Sequence, residues 1–335
     1  MTILNSLISA VLLMAQTSAP TTPPAPVLQG GNMLMLVQNL ERSVEFYRDF
    51  VGLPQNANAT LRPYAPVTAG LADMYIARGA QMRNLTLMVP GSDLRLEMLD
   101  FKDVDSNPQH PHLQDPGATL IIFKVRDVDA VAARAAQNGV QMRTPGGKPA
   151  VLDGGKARAI FAKDPTGFFV EVVQRNESIP ANAPAGNVIG ASLGITIKDT
   201  DETIRFYRDI FGFEVQTGTW VFDKLFTDAA GLPTAQYRKS TATITSTNLQ
   251  MEFYEYRGID RTPTKAVIHD PGVAIMRLMV KDINATIKGV RAAGMPIVNW
   301  SGEPTIQIAF WFFMGRDPNN FFFQMQQPAQ IGQRQ

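Results

Sequence analysis

The sequence predicts an α+β fold in which four βαβββ units pair into two tandem domains, each enclosing a cavity. Three observations lead there. The first is an internal repeat. "NLERSVEFYRDFVGL" begins at Asn39 and "DTDETIRFYRDIFGF" at Asp199. "RDVDAVAARAAQNGV" and "KDINATIKGVRAAGM" align Asp127 with Asp282, and "LQDPGA" and "IHDPGV" align Asp115 with Asp270. Three matched pairs in the same order mean a duplication. The second is that each half holds one pattern twice: an apolar strand, a capping residue, an amphipathic helix and three short strands. The third is size, since 335 residues make two ordinary domains.

Each first strand stops at a side chain able to accept from the free N–H groups of a new helix: Asn39, Asp127, Asp199 and Asp282. Glu202 completes a capping-box pattern with Asp199. Leu40, Val44, Tyr47 and Val51 share one helical face, and so do Ile204, Tyr207 and Phe211. Each helix then meets a glycine that can turn left-handed: Gly52, Gly139, Gly212 and Gly294. Last strands follow Asp-Pro turns, "DPTGFFVEVV" from Asp164 and "DPNNFFFQMQ" from Asp317, closed by Gly167 and Asn320. The first domain is expected over residues 30–177 and the second over 187–328, with a linker at 178–186 and a tail at 329–335. One helix covers only one face of its strands. The sister unit in the same half is expected to cover the other face and so to enclose the cavity.

Net charge is +1, which gives no basis for a nucleic-acid surface. There is no cysteine, which excludes disulfides, a thiol nucleophile and thiolate metal sites. Leu7 to Ala15 is an apolar run too short to span a bilayer as a helix. Residues 1–19 are expected to be an export signal and 20–29 a Pro/Thr-rich linker. The product would be periplasmic or secreted, without a membrane span, and would start between Gln16 and Val27, which N-terminal sequencing would read directly. No Lys or Arg precedes the run, and an apolar tail without an export role is the competing reading.

The segments "VQNLERSVEFYRDFVGL", "FKVRDVDAVAARAAQNGV" and "FAKDPTGFFVEVV" resemble the vicinal oxygen chelate superfamily, which includes glyoxalase I, the bleomycin and fosfomycin resistance proteins and the extradiol dioxygenases. The resemblance covers nearly all of the chain after the linker, in both halves. It implies a cavity with a divalent metal, held by His from the first strand of each unit and Glu from the last. Such a metal polarises adjacent substrate oxygens or activates dioxygen. Carried over position by position, the first-strand residues are Asn32, Leu120, Ser192 and Ile275, and none is histidine. The last-strand residues are Glu97, Glu171, Glu252 and Gln324. A neutral amide is less costly to bury than a carboxylate where no ion sits. Gln324 therefore reads as the mark of a cavity that holds no metal.

Glu97 and Glu171 are the candidate catalytic pair, expected in the first cavity as acid and base, or as holders of a weakly bound divalent metal with Asn32 and water. The plainer alternative is that Arg95, two along the strand, neutralises Glu97. Arg277 lies two beyond Ile275 and so faces the same side. It is expected to pair with Glu252 and offer donors to an anionic or carbonyl ligand, against the alternative of a solvated rim residue. Asn32, Ser192, Glu252, Tyr254, Arg277 and Gln324 form the candidate ligand-binding set. His110, His112 and His269 are expected as loop residues packed at the domain rim, with metal chelation by the His-x-His pair as the alternative. The aromatics from Trp220 to Phe323 are expected to send about half their rings inward, suiting a planar or apolar ligand.

The leading expectation is a metal-independent binding or catalytic member of the superfamily, with no cofactor and a small organic molecule as partner. A metal-dependent lyase or dioxygenase using Glu97 and Glu171 is the first alternative. An interaction module whose cavities are filled by its own side chains is the second. A homodimer is open.

Overall fold

Four repeated units build two sheets, and each sheet draws on both halves of the chain. The protein's computed structural model describes residues 27–55, 60–307 and 309–329. The expected export signal and the chain beyond residue 329 lie outside the described residues. Unit one holds β1 (Val27–Leu36), α1 (Leu40–Glu45, continued as a π-turn over Phe46–Val51), β2 (Ala65–Pro66), α2 (Ala69–Tyr75), β3 (Gln81–Met88) and β4 (Arg95–Lys102). Unit two holds β5 (Thr119–Val125), α3 (Val128–Gln137), β6 (Ala150–Leu152), β7 (Ala157–Lys163) and β8 (Phe169–Arg175). Unit three holds β9 (Val188–Ile197), α4 (Thr200–Phe211), β10 (Trp220–Val221), α5 (Lys224–Ala230), β11 (Gln236–Thr243) and β12 (Gln250–Arg257). Unit four holds β13 (Ala274–Val280), α6 (Ile283–Ala292), β14 (Thr305–Gln307), β15 (Phe310–Arg316) and β16 (Phe322–Pro328). Among the described residues, no helix is long and apolar enough to cross a membrane.

The caps act as the side chains dictate. Asn39 accepts from the Arg42 amide, Asp127 from Asp129 and Ala130, Asp199 from Glu202, and Asp282 from Ala285. Gly52 and Gly212 end their helices left-handed, at φ of 91° and 72°. The α4 face differs slightly from expectation. Ile204 is only half-buried, and Thr203 and Phe206 take the inward place beside Tyr207 and Phe211.

The Asp-Pro turns are clamps. Asp164 Oδ1 accepts from the amides of Thr166, Gly167 and Phe168 at 2.8–2.9 Å, while Oδ2 accepts from the Tyr47 hydroxyl at 3.2 Å. Asp317 repeats this with Asn319, Phe321 and Tyr207. Each turn thus ties a last strand to its partner helix.

Pairing between units corrects one expectation. The first sheet runs β14-β15-β16-β13-β1-β4-β3-β2, joining unit four to unit one. The second runs β10-β11-β12-β9-β5-β8-β7-β6, joining unit three to unit two. The seams are antiparallel first strands, β1 on β13 and β5 on β9. Within a half, the units meet through their helices instead: α3 packs on the π-turn after α1, and α4 packs on α6. A cavity therefore takes one unit from each half, not both units of one half.

Strand alternation then sorts the side chains. Met33, Met35, Phe123, Leu193 and Met276 enter one large core shared with the helices between the sheets. Leu34, Leu36 and Ile275 face the concave side of the first sheet, and Leu120, Ile122 and Tyr254 that of the second. Short helices cover these concave faces. α2 of unit one packs on β14 and β15, and α5 of unit three on β6 and β7.

Candidate functional site

In the first cavity, Leu34 pairs in register with Glu97, Asn32 with Arg277, and Arg277 with Gln324. Arg277 Nη1 donates to Glu97 Oε2 at 2.8 Å, and Arg277 Nε donates to Gln324 Oε1. Gln324 Nε2 faces Met74 Sδ of α2, and Asn84 Nδ2 reaches the other Glu97 oxygen at 3.4 Å. The side chains of Arg277 and Glu97 are 20% and 15% exposed. Tyr75, from α2, lies buried beside them. Burial pushes its hydroxyl pKa up, and the nearby Arg277 opposes the shift. Next to this cluster a groove of about 240 Å³ opens along β1, β4 and β13, with Asn32, Arg95, Arg277, Met88, Met279 and Gln326 in its walls.

The second cavity is narrower, with about 30 Å³ of free space. Glu252 is fully engaged. Ser192 Oγ donates to Oε1 at 2.7 Å, the Tyr254 hydroxyl donates to Oε2 at 2.7 Å, and Lys239 Nζ lies 3.2 Å from Oε2. Burial works to raise the Glu252 pKa, but Lys239, Ser192 and Tyr254 outweigh it and hold the carboxyl below its usual range. Glu171, only 5% exposed, faces it. Among the described residues no hydrogen bond reaches the Glu171 carboxyl. Burial, then the charge of Glu252, push its pKa up to about 7. Rings close the space. Phe226 of α5 stacks on Tyr254 at 6.0 Å, Tyr237 lies 4.7 Å from Phe226, and Tyr256 stacks beyond Tyr254 with its buried hydroxyl lacking a partner among the described residues.

The structure brings Asn32, Glu97, Arg277 and Gln324 together, and separately Glu171, Ser192, Glu252 and Tyr254. Three expectations are corrected. Glu97 and Glu171 do not share a cavity, because they lie on different sheets. Arg277, not the exposed Arg95, neutralises Glu97. Arg277 does not meet Glu252, whose cation is Lys239. All three follow from the crossed pairing of units. His110 and His112 are exposed, and His269 sits between the carbonyl oxygens of Tyr75 and Asp105 at 2.8 Å. Of the aromatics, Tyr254, Phe312 and Phe322 face the cavities, Phe313, Phe321 and Phe323 enter the central core, and Phe222 and Trp300 are exposed. The sequence reading missed Met74, Tyr75, Phe226, Tyr237, Tyr256 and Lys239. Most sit on α2, α5 or the strand after α5. The capping residues Thr68 and Asp223 were the available signal.

A metal does not fit either ring of positions. The first offers one carboxylate already paired with a guanidinium, beside an apolar Ile275. In the second, Leu120 has no donor atom and both Glu252 oxygens are engaged. Among the described residues no group of three or more His, Cys, Asp or Glu could hold a metal ion.

The sequence profile of the Glyoxalase/Bleomycin resistance protein/Dioxygenase superfamily matches residues 31–172 and 191–323. Glyoxalase I from Zea mays is 16% identical with a TM-score of 0.57, covering 90% of this chain and 92% of that one. A putative dioxygenase from Bacillus subtilis subsp. subtilis str. 168 is 12% identical with a TM-score of 0.55, covering 91% of this chain and 87% of that one. These likenesses concern the fold alone. No curated protein matches the sequence.

Proposed function

Because the chain belongs to the glyoxalase/bleomycin resistance protein/dioxygenase superfamily, we propose that it works from one of that fold's cavities without a metal, binding a small organic acid or carbonyl compound in the groove of the first sheet. One observation carries this reading: the Arg277 guanidinium, from the first strand of unit four, is held between the last-strand residues Glu97 and Gln324 and lines an open groove. Arg277 uses Nε and Nη1 on those two partners and remains a fifth exposed. A pinned guanidinium loses little freedom on meeting a ligand carboxylate or carbonyl oxygen. Arg95 and Asp93 bring one charge of each sign to the walls, the Asn32 and Gln326 amides add donors and acceptors, and Met88 and Met279 give apolar wall. At about 240 Å³ the groove falls below the range of drug-sized sites (~300–1,000 Å³), so the ligand is small.

A second reading, an interaction module with filled cavities, draws on Met74, Tyr75 and Phe226, which α2 and α5 press onto the concave faces. A screen of small carboxylates and carbonyl compounds by calorimetry separates the two. The binding reading expects saturable ligands whose affinity drops at least tenfold in the charge-balanced double variant Arg277→Met with Glu97→Gln. If no compound binds, or the double variant binds as well as the parent, that reading is wrong.

A further inference from the structure

Once Glu171 is ionised, above about pH 7, the second cavity has a charge deficit that its own residues do not close. Three carboxylates line it, Asp153, Glu171 and Glu252, against two cations, Arg175 and Lys239. Arg175 is 2.7 Å from Asp153, and Lys239 is 3.2 Å from Glu252. Glu171 is left buried with no ion pair or hydrogen bond among the described residues, and Lys239 and Arg175, each paired with another carboxylate, act on it only through space. The buried Tyr256 hydroxyl, also partnerless, lies close enough to feel the Glu171 charge. Around this carboxylate stand the rings of Phe226, Tyr237 and Tyr254. A carboxylate backed by aromatic faces attracts a cation through both the charge and the ring quadrupoles.

We propose that this cavity is the seat of a small ammonium group, free or at the end of a small amine, which hydrogen-bonds to Glu171 and rests against the rings of Phe226, Tyr237 and Tyr254. The chemistry favours nitrogen over a metal ion. A hard cation such as calcium takes six to eight oxygens, whereas both Glu252 oxygens are engaged, Asp153 is paired with Arg175, and Glu171 is the one buried carboxylate here with no hydrogen bond among the described residues. An ammonium needs only two or three acceptors. A space of about 30 Å³ holds one such group, and anything larger requires α5 to lift. The seat is distinct from the Arg277 groove, which lies on the other sheet.

The test is calorimetric titration of the full chain with methylammonium chloride at pH 8.5. Sodium, potassium and ammonium chlorides serve as arms at equal ionic strength. The expected result is saturable binding of methylammonium and ammonium, not of sodium or potassium, weakened at least tenfold at pH 5.5, where Glu171 holds a proton. Glu171→Gln should abolish it and Phe226→Leu should weaken it about fivefold. The Arg277→Met, Glu97→Gln double variant should retain it, so this result and that for the groove can fail separately. Equal responses to sodium and methylammonium, potassium binding as tight as ammonium, or binding retained in Glu171→Gln would each overturn the assignment.

Discussion

Glu97 and Glu171 occupy equivalent places in repeated units and are neutralised by different means. Glu97 meets a guanidinium, whereas Glu171 faces a second carboxylate in a closed space. The difference has a measurable sign. The Glu171 pKa lies near 7 in the folded chain, against an ordinary value of 4.5. The folded state therefore favours the protonated form. The stability this gives is complete below about pH 4.5 and is lost as pH rises through about 7. A gap of that size corresponds to roughly 3 kcal/mol. We expect Glu171→Gln to be more stable than the parent by up to about that amount at pH 8.5 in amine-free buffer, and nearly equal at pH 5. Denaturant unfolding across the pH range reads this, and parallel curves for the two proteins would remove the account. The alternation that aims Glu97, Glu171, Glu252 and Arg277 into cavities was legible, because a strand's period of two is unambiguous once its core face is known. Which carboxylate meets which cation was not. That depends on contacts between units, and nothing local in the sequence encodes them.

At the level of elements, the four caps and their helices were legible because each is a short-range signal with one physical cause. α2 and α5 were not. Each has seven residues, barely two turns, and so short an apolar pattern does not separate from a strand. Yet these two helices supply Tyr75 and Phe226 and set the depth of both cavities. The Asp-Pro turns offer a sharper test of what holds a unit together. Asp164 receives three backbone amides and the Tyr47 hydroxyl, all in a buried setting. Asp164→Ala should leave several of those donors unmet and cost about 3 kcal/mol. Asp164→Asn keeps one acceptor oxygen and should cost less. Equal losses in the two variants would show that the turn is not held by those bonds.

For the whole molecule, the crossed pairing of units decides what a half-chain can do. Residues 27–177 alone would expose β1 and β5, each bare along the edge that β13 or β9 covers in the full chain. Bare edges seek a strand. Unit four is the repeat of unit two, as Asp282 and Asp127 align, so β5 of a second copy is the natural substitute for β13. We expect the half-chain to be a two-fold dimer with two eight-stranded sheets, measured by light scattering on a sizing column. A well-folded monomer at micromolar concentration would contradict this. In the full chain the linker at 178–186 keeps the halves together at a high effective concentration. Covalent joining also changes what mutation can reach. In a dimer of identical half-chains, a substitution in either unit is written into both cavities at once. In the joined chain, units one and four serve one cavity and units two and three the other. A single codon change could therefore place Gln324 opposite Arg277 without disturbing Glu171. Each cavity is inherited as a separate trait, free to lose one chemistry while its twin keeps another.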